Sequence, residues 1–147
     1  MSAITGALAE QVAVAAVNTG TASSTPLAGT AADLSKFDQV AFIFCLGDMA
    51  SETIDCIVES CDSNGANNAS LKAATQLAAH ASNNDSKQIV INVRASDLIA
   101  SGKRYARGKI TTGGATGGTC TIVAVGGEQR NPPTDVEDAS SVVEIKL

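Results

Sequence analysis

The sequence predicts an all-β protein, an antiparallel β-sandwich or jelly roll with extended N- and C-terminal arms. Three observations carry that prediction. About seven or eight short runs rich in Val, Ile and Phe follow one another, parted by turn residues at roughly 8–12-residue intervals. Several of those runs alternate apolar and polar side chains, which is the two-residue period of a strand. No segment recurs at a fixed period, so solenoids and propellers are excluded. The 147 residues suit one domain, since domains commonly hold about 100–150 residues.

Residues 1–30 form an N-terminal strand and arm. Gly6–Glu10 suits a helical turn or an arm, and Val12-Ala13-Val14-Ala15-Ala16-Val17 marks a strand over 11–17. Asn18-Thr19-Gly20 and Ser24-Thr25-Pro26 supply turn chemistry after it. The sandwich domain spans 31–130. Its strongest strand is Gln39–Leu46, where Val40, Phe42, Ile43 and Phe44 place β-formers on both faces. Such a strand is covered on both sides, by a facing sheet and by something further such as a neighbouring subunit.

Gly47-Asp48 ends that strand, and Thr53–Glu59 alternates strictly, with Ile54, Cys56 and Val58 on one side. Cys61–Asn68 is a polar loop, with Asn64-Gly65 as its turn. Leu71–His80 is open between a helix, which Ala, Leu and Gln favour, and a strand. Asn83-Asn84-Asp85 turns the chain into the strand Gln88–Arg94, and Ser96 caps a helical turn over Ser96–Ala100. Arg104–Thr112 and Thr119–Val125 are strands joined by the glycine-rich turn Gly113–Gly118. Asn131-Pro132-Pro133 breaks regular structure and opens a C-terminal arm, 131–147, whose Val142–Ile145 patch suits an edge strand or a contact with a partner.

Composition narrows the function. The formal charge is −5, and only ten residues are Lys or Arg, which argues against a nucleic-acid partner. Aromatics amount to Phe37, Phe42, Phe44 and Tyr105, too few for base stacking or a carbohydrate platform. No apolar run approaches the ~20 residues of a membrane-spanning helix. Lys36 is the first basic side chain, so the start lacks the positive region of a signal peptide, and the expected compartment is the cytoplasm. The sequons at Asn68 and Asn84 are then coincidental. Small residues dominate the apolar fraction, with 25 Ala and 13 Gly. Such a core buries little area per residue, so association with other chains is expected to add stability.

The search for chemistry yields little. Cys45, Cys56, Cys61 and Cys120 lack C-x-x-C spacing, and packing as reduced thiols is the expected state. His80 has no spaced catalytic partner, and Gly113–Gly118 lacks the Gly-Lys-Ser/Thr ending of a phosphate loop. Asp48, Glu52 and Asp55 surround a turn without the spacing of a calcium loop. One positive signal is the basic group Lys103, Arg104, Arg107 and Lys109. It is either a solvated outer sheet face or an electrostatic contact for an acidic partner.

Three segments, in order, resemble phage capsid cement (decoration) proteins. They are Asp33-Leu34-Ser35-Lys36-Phe37-Asp38-Gln39-Val40-Ala41-Phe42, Thr53–Ser60, and Lys87–Leu98 leading into Lys103-Arg104-Tyr105-Ala106-Arg107. The resemblance spans residues 30–125. It implies a non-enzymatic virion protein without cofactor, made in the bacterial host cytoplasm and seated on the capsid exterior. There it would associate as a homotrimer and hold neighbouring capsomers of the major capsid protein, with neither nucleic acid nor membrane as partner. The contact residues expected from the basic group and the apolar patches of the ends are Lys103, Arg104, Arg107 and Lys109, with Val12, Val14, Val142 and Ile145. A head–tail adaptor or a tail or fibre module is the alternative, and an unrelated sandwich that binds a ligand or works as an enzyme is a third.

Overall fold

In the computed structural model, which describes residues 12–79 and 84–129, nine strands and one short 3₁₀ helix follow each other along the chain. The strands are β1 (Val12–Ala22), β2 (Leu27–Ala28), β3 (Ala32–Asp33), β4 (Phe37–Met49), β5 (Ile54–Cys61), β6 (Ala69–Ala73), β7 (Gln88–Arg94), β8 (Tyr105–Thr112) and β9 (Gly118–Gln129). The 3₁₀ helix, Ala95–Ser101, lies between β7 and β8.

One sheet has the order β1-β9-β4-β7 and the other β2-β8-β5-β6, with β3 also on β8, and every ladder is antiparallel. β2 and β3 pair with different lengths of β8, so they are one edge strand interrupted at Gly29-Thr30-Ala31. The Gly29 amide bridges the gap by donating to the Gly108 carbonyl at 2.8 Å. Counted that way there are eight strands, and the first pairs with the last, the second with the seventh, the third with the sixth, and the fourth with the fifth. That is a long hairpin rolled into two sheets, a jelly roll. The all-β sandwich expected from the alternation is the fold observed. Residues 1–11 of the expected N-terminal strand and arm, 1–30, and the whole expected C-terminal arm, 131–147, with Val142, Ile145 and the Pro132-Pro133 break, lie outside the described residues, as does His80.

The core is where alternation placed it. Val40, Phe42 and Phe44 of β4 lie buried with Ile54, Cys56 and Val58 of β5, Ile91 and Val93 of β7, and Ile122 of β9. Ile89, counted with them in the sequence, is only partly buried. The few aromatic rings fill the core by lying against glycine. A Cβ on Gly126 would come within 2.5 Å of the Phe37 ring, and one on Gly108 within 3.0 Å of the Phe44 ring.

Three local expectations need correction, and one open reading is decided. Asn18-Thr19-Gly20 do not turn: β1 runs through them to Ala22, because their backbone pairs with Thr121 and its neighbours on β9. A side-chain bond of 2.9 Å between Thr19 and Thr121 Oγ1 atoms reinforces that pairing. β4 likewise continues through Gly47-Asp48, absorbing them in an irregularity between Leu46 and Met49. Leu71–His80, open between helix and strand, takes the strand alternative through Ala73 and again in a bridge at Leu77, since Ala74 and Leu77 spend their amides on the Cys56 and Ile54 carbonyls of β5. Finally, Ser96 caps nothing. The Asp97 carboxylate accepts the Arg94 amide at 2.8 Å and starts the 3₁₀ turn, which Gly102 closes in the left-handed region at φ 65°.

Candidate functional site

The basic group was the sequence's strongest pointer to a partner, and the structure gives each of its cations a carboxylate of the same chain. Arg107 and Lys109 point outward from β8, alternating with buried Ala106 and Ile110. Both meet Glu59 on the neighbouring β5, Arg107 at 3.1 Å and Lys109 through a short contact. Glu59 is 3% exposed, so its charge depends on these two partners. The loop after β5 lies over the group: a Cβ on Gly65 would sit 2.6 Å from the Arg107 guanidinium, and Gly65 holds φ 77°, which favours glycine. Lys103 meets Asp62 at 2.6 Å. Arg104 binds both oxygens of Asp33, at 3.0 and 2.6 Å, and stacks over Tyr105 at 4.9 Å.

Two of these pairs hold their carboxylates down. Burial alone would raise Asp33, but bonds from Arg104 and from Ser35 hold it below the ordinary carboxylate range. Lys103 and then Asn67 hold Asp62 down in the same way. A surface neutralised internally has little field left with which to steer an acidic partner.

The glycine-rich turn is an anion cradle, and its anion is built in. The backbone amides of Gly114, Thr116 and Gly117 all donate to the Glu52 carboxylate, each at 3.2 Å. Of the acidic trio, Glu52 is thus committed here, and Asp55 accepts from Gln76 at 2.8 and 2.9 Å. Among the described residues, no three His, Cys, Asp or Glu side chains stand close enough together to hold a metal ion. The four cysteines are free thiols. Cys56, Cys61 and Cys120 are buried, and burial pushes their thiols up, that of Cys56 to about 12.

What sequence reading missed is a surface assembled from four strands. Register places Val17, Val123, Ile43 and Val90 side by side across the outer face of the β1-β9-β4-β7 sheet. One row along lie Val14, Val125, Ala41 and Asn92, and on the other side Thr19, Thr121, Cys45 and Gln88. None of these twelve side chains carries a charge. Val17 and Val90 are two of the three exposed large hydrophobics among the described residues, at 39% and 61%. Val14, one of the residues expected to make contacts, belongs to this face. Val12 begins the same strand, whereas Val142 and Ile145 lie outside the described residues. The opposite sheet carries Asp55, Glu59, Lys72, Arg107 and Lys109. On the β1-β9-β4-β7 sheet the charged strand residues Asp38, Asp48, Arg94 and Glu128 stand toward the strand ends, and Arg94 borders the three rows on their outer face. The signal available in the sequence was the doubly apolar β4, and only the strand order reveals how its outer side is continued by β1, β9 and β7.

Fold and surface together define an all-β jelly roll with three uncharged central rows on the outer face of one sheet and an ion-paired group on the other. No family model and no curated protein matches the chain. Among solved structures, it is similar to a chain from the Bacillus endospore appendages, which form a novel family of disulfide-linked pili. That similarity has 14% identity and a TM-score of 0.45, over 87% of this chain and 100% of that one.

Proposed function

We propose that this protein is a non-enzymatic structural component of a phage virion, seated on the outside of an icosahedral capsid, where it stabilises contacts between neighbouring capsomers. The observation that carries this reading is the three uncharged, largely β-branched central rows on the outer face of the β1-β9-β4-β7 sheet, a surface suited to protein contact and not to chemistry. The resemblance of residues 33–42, 53–60, 87–98 and 103–107 to capsid cement proteins supplies the phage setting. Its residues are those that hold the fold: Leu34, Phe37, Val40, Phe42, Val58, Val93 and Leu98 are buried, and Asp33 pairs with Arg104.

In this reading the partners are the major capsid protein and further copies of the chain, on the virion exterior, after synthesis in the host cytoplasm. Contact runs mainly through apolar surface, with a smaller part for the basic group than its sequence implies, because its cations are already paired. Repetition over a symmetric shell then turns weak single contacts into avidity.

Quantitative mass spectrometry of purified particles tests the proposal. Hundreds of copies per particle, and earlier genome loss on heating in particles without the protein, are the expected result. A dozen copies or fewer would replace the cement role with that of a head–tail adaptor. Absence from particles would overturn the virion reading.

A further inference from the structure

We infer that the outer face of the β1-β9-β4-β7 sheet binds a second copy of this chain, sheet against sheet, across the row Val17–Val123–Ile43–Val90. The inference rests on the reading of that face as a contact surface and names what covers it. Three arguments select a second copy.

The first is charge. Each chain carries −5, so two copies repel unless they meet where neither bears charge, and the three central rows of this face meet that condition. A strongly charged partner would find no complement there. The second is shape. A four-stranded sheet presents ridges of β-branched side chains, and two such faces interdigitate about 10 Å apart, as the two inner faces of a sandwich do. The central row reads Val-Val-Ile-Val from edge to edge, so it complements itself when turned about a two-fold axis.

The third is area. Three rows about 6.6 Å apart, across four strands about 4.8 Å apart, give an uncharged face of roughly 400 Å². Two such faces bury about 800 Å², the size of a weak, transient contact. A contact of that size gives a weak, reversible dimer, in place of the trimer that the family resemblance implies.

Cys45 makes the idea testable in the unaltered protein. It lies on β4 beside this row and is half-exposed, whereas the other three thiols are buried. Cys45 alkylation and sedimentation mass are measured together, from micromolar to several hundred micromolar protein. The expected result is a rise from 14.8 kDa to twice that mass, with Cys45 labelling slowed about tenfold or more over the same range. The double variant V17K/V90K, at two exposed positions, should stay monomeric with a fast-reacting Cys45. The variant I99K, at an exposed position on the 3₁₀ helix, should dimerise like the wild type.

Each other outcome overturns the inference. A monomer with Cys45 always reactive means that the face meets no second copy. A monomer with Cys45 always protected means that a segment of the same chain covers it. A dimer whose Cys45 stays reactive, or one that survives V17K/V90K, uses another surface. A monomer that still binds capsids would sink this inference and leave the virion reading standing, whereas a Cys45-protected dimer absent from virions would do the reverse.

Discussion

Asp33 and Arg104 are 71 residues apart in the chain and meet in a two-point ion pair. It joins the short β3 to the start of β8, at the end of the sandwich where the 3₁₀ helix packs. Asp33 is 4% exposed, and its carboxylate is held by that guanidinium together with bonds from Ser35.

Arg104→Ala should therefore lower the denaturant midpoint, because the Asp33 carboxylate loses its two-point ion pair and keeps the bonds from Ser35. Arg104→Lys should recover only part, because an ammonium cannot span both oxygens. The pH dependence follows from the lowered Asp33. Its contribution is complete above the unfolded value of 3.8 and is lost as pH falls through the lower folded value. An Arg104→Ala protein whose unfolding midpoint matched wild type at neutral pH would refute this role.

Glu52 governs the opposite end of the sandwich. There the Ser24 amide donates to the Gly114 carbonyl and the Ala50 amide to the Gly117 carbonyl, so three loops meet around its carboxylate. The Thr112 hydroxyl and then the amides of Gly117, Thr116 and Gly114 hold Glu52 below its ordinary 4.5. Its share of stability is present above 4.5 and is lost as pH falls through the lower folded value. Amide exchange at Gly114, Thr116 and Gly117 should accelerate across that acid range, relative to the trend of other loops. In Glu52→Gln the same amides should exchange fast already at neutral pH. Protection that is unchanged in the variant would show that the turn holds its shape without the carboxylate.

How legible this was in the sequence depended on whether a feature is local. Ile54, Cys56 and Val58 declared their shared face by period alone, and they are buried. Asn18-Thr19-Gly20 read as a turn, because turn residues reveal chemistry but not the long-range ladder to β9 that keeps them extended. Lys103, Arg104, Arg107 and Lys109 read as one patch because they are close in sequence. Their carboxylates, Asp62, Asp33 and Glu59, come from 41 to 71 residues away and are brought to them by the strand order. The neutral sheet face was invisible for the same reason, since each strand contributes only a few of its residues.

The thiols separate by burial. Cys56, whose thiol burial pushes up to about 12 with a further push from Cys120 and Asp55, should react with alkylating reagents only as fast as the protein unfolds. Cys61 and Cys120 should behave alike, each with its thiol raised by burial. In denaturant without reductant, all four should titrate as free thiols. Native-state mass spectrometry of the labelled protein checks both statements, and rapid labelling of Cys56 in the folded chain would contradict them.

Gly126 and Phe37 should prove energetically coupled. β4 and β9 pair over ten residue pairs, and the Phe37 ring rests where a side chain at Gly126 would stand. Gly126→Ala puts a methyl 2.5 Å from that ring, and the overpacking should cost about 1–3 kcal/mol. Phe37→Leu alone removes part of a fully buried ring and should cost a similar amount. Together, the added methyl occupies space that the ring has vacated, so the double variant should be more stable than the sum of the single costs by about 1 kcal/mol. Denaturant unfolding of the four proteins closes the cycle. Strict additivity would mean that the backbone at Gly126, and not the Phe37 ring, sets the requirement for glycine.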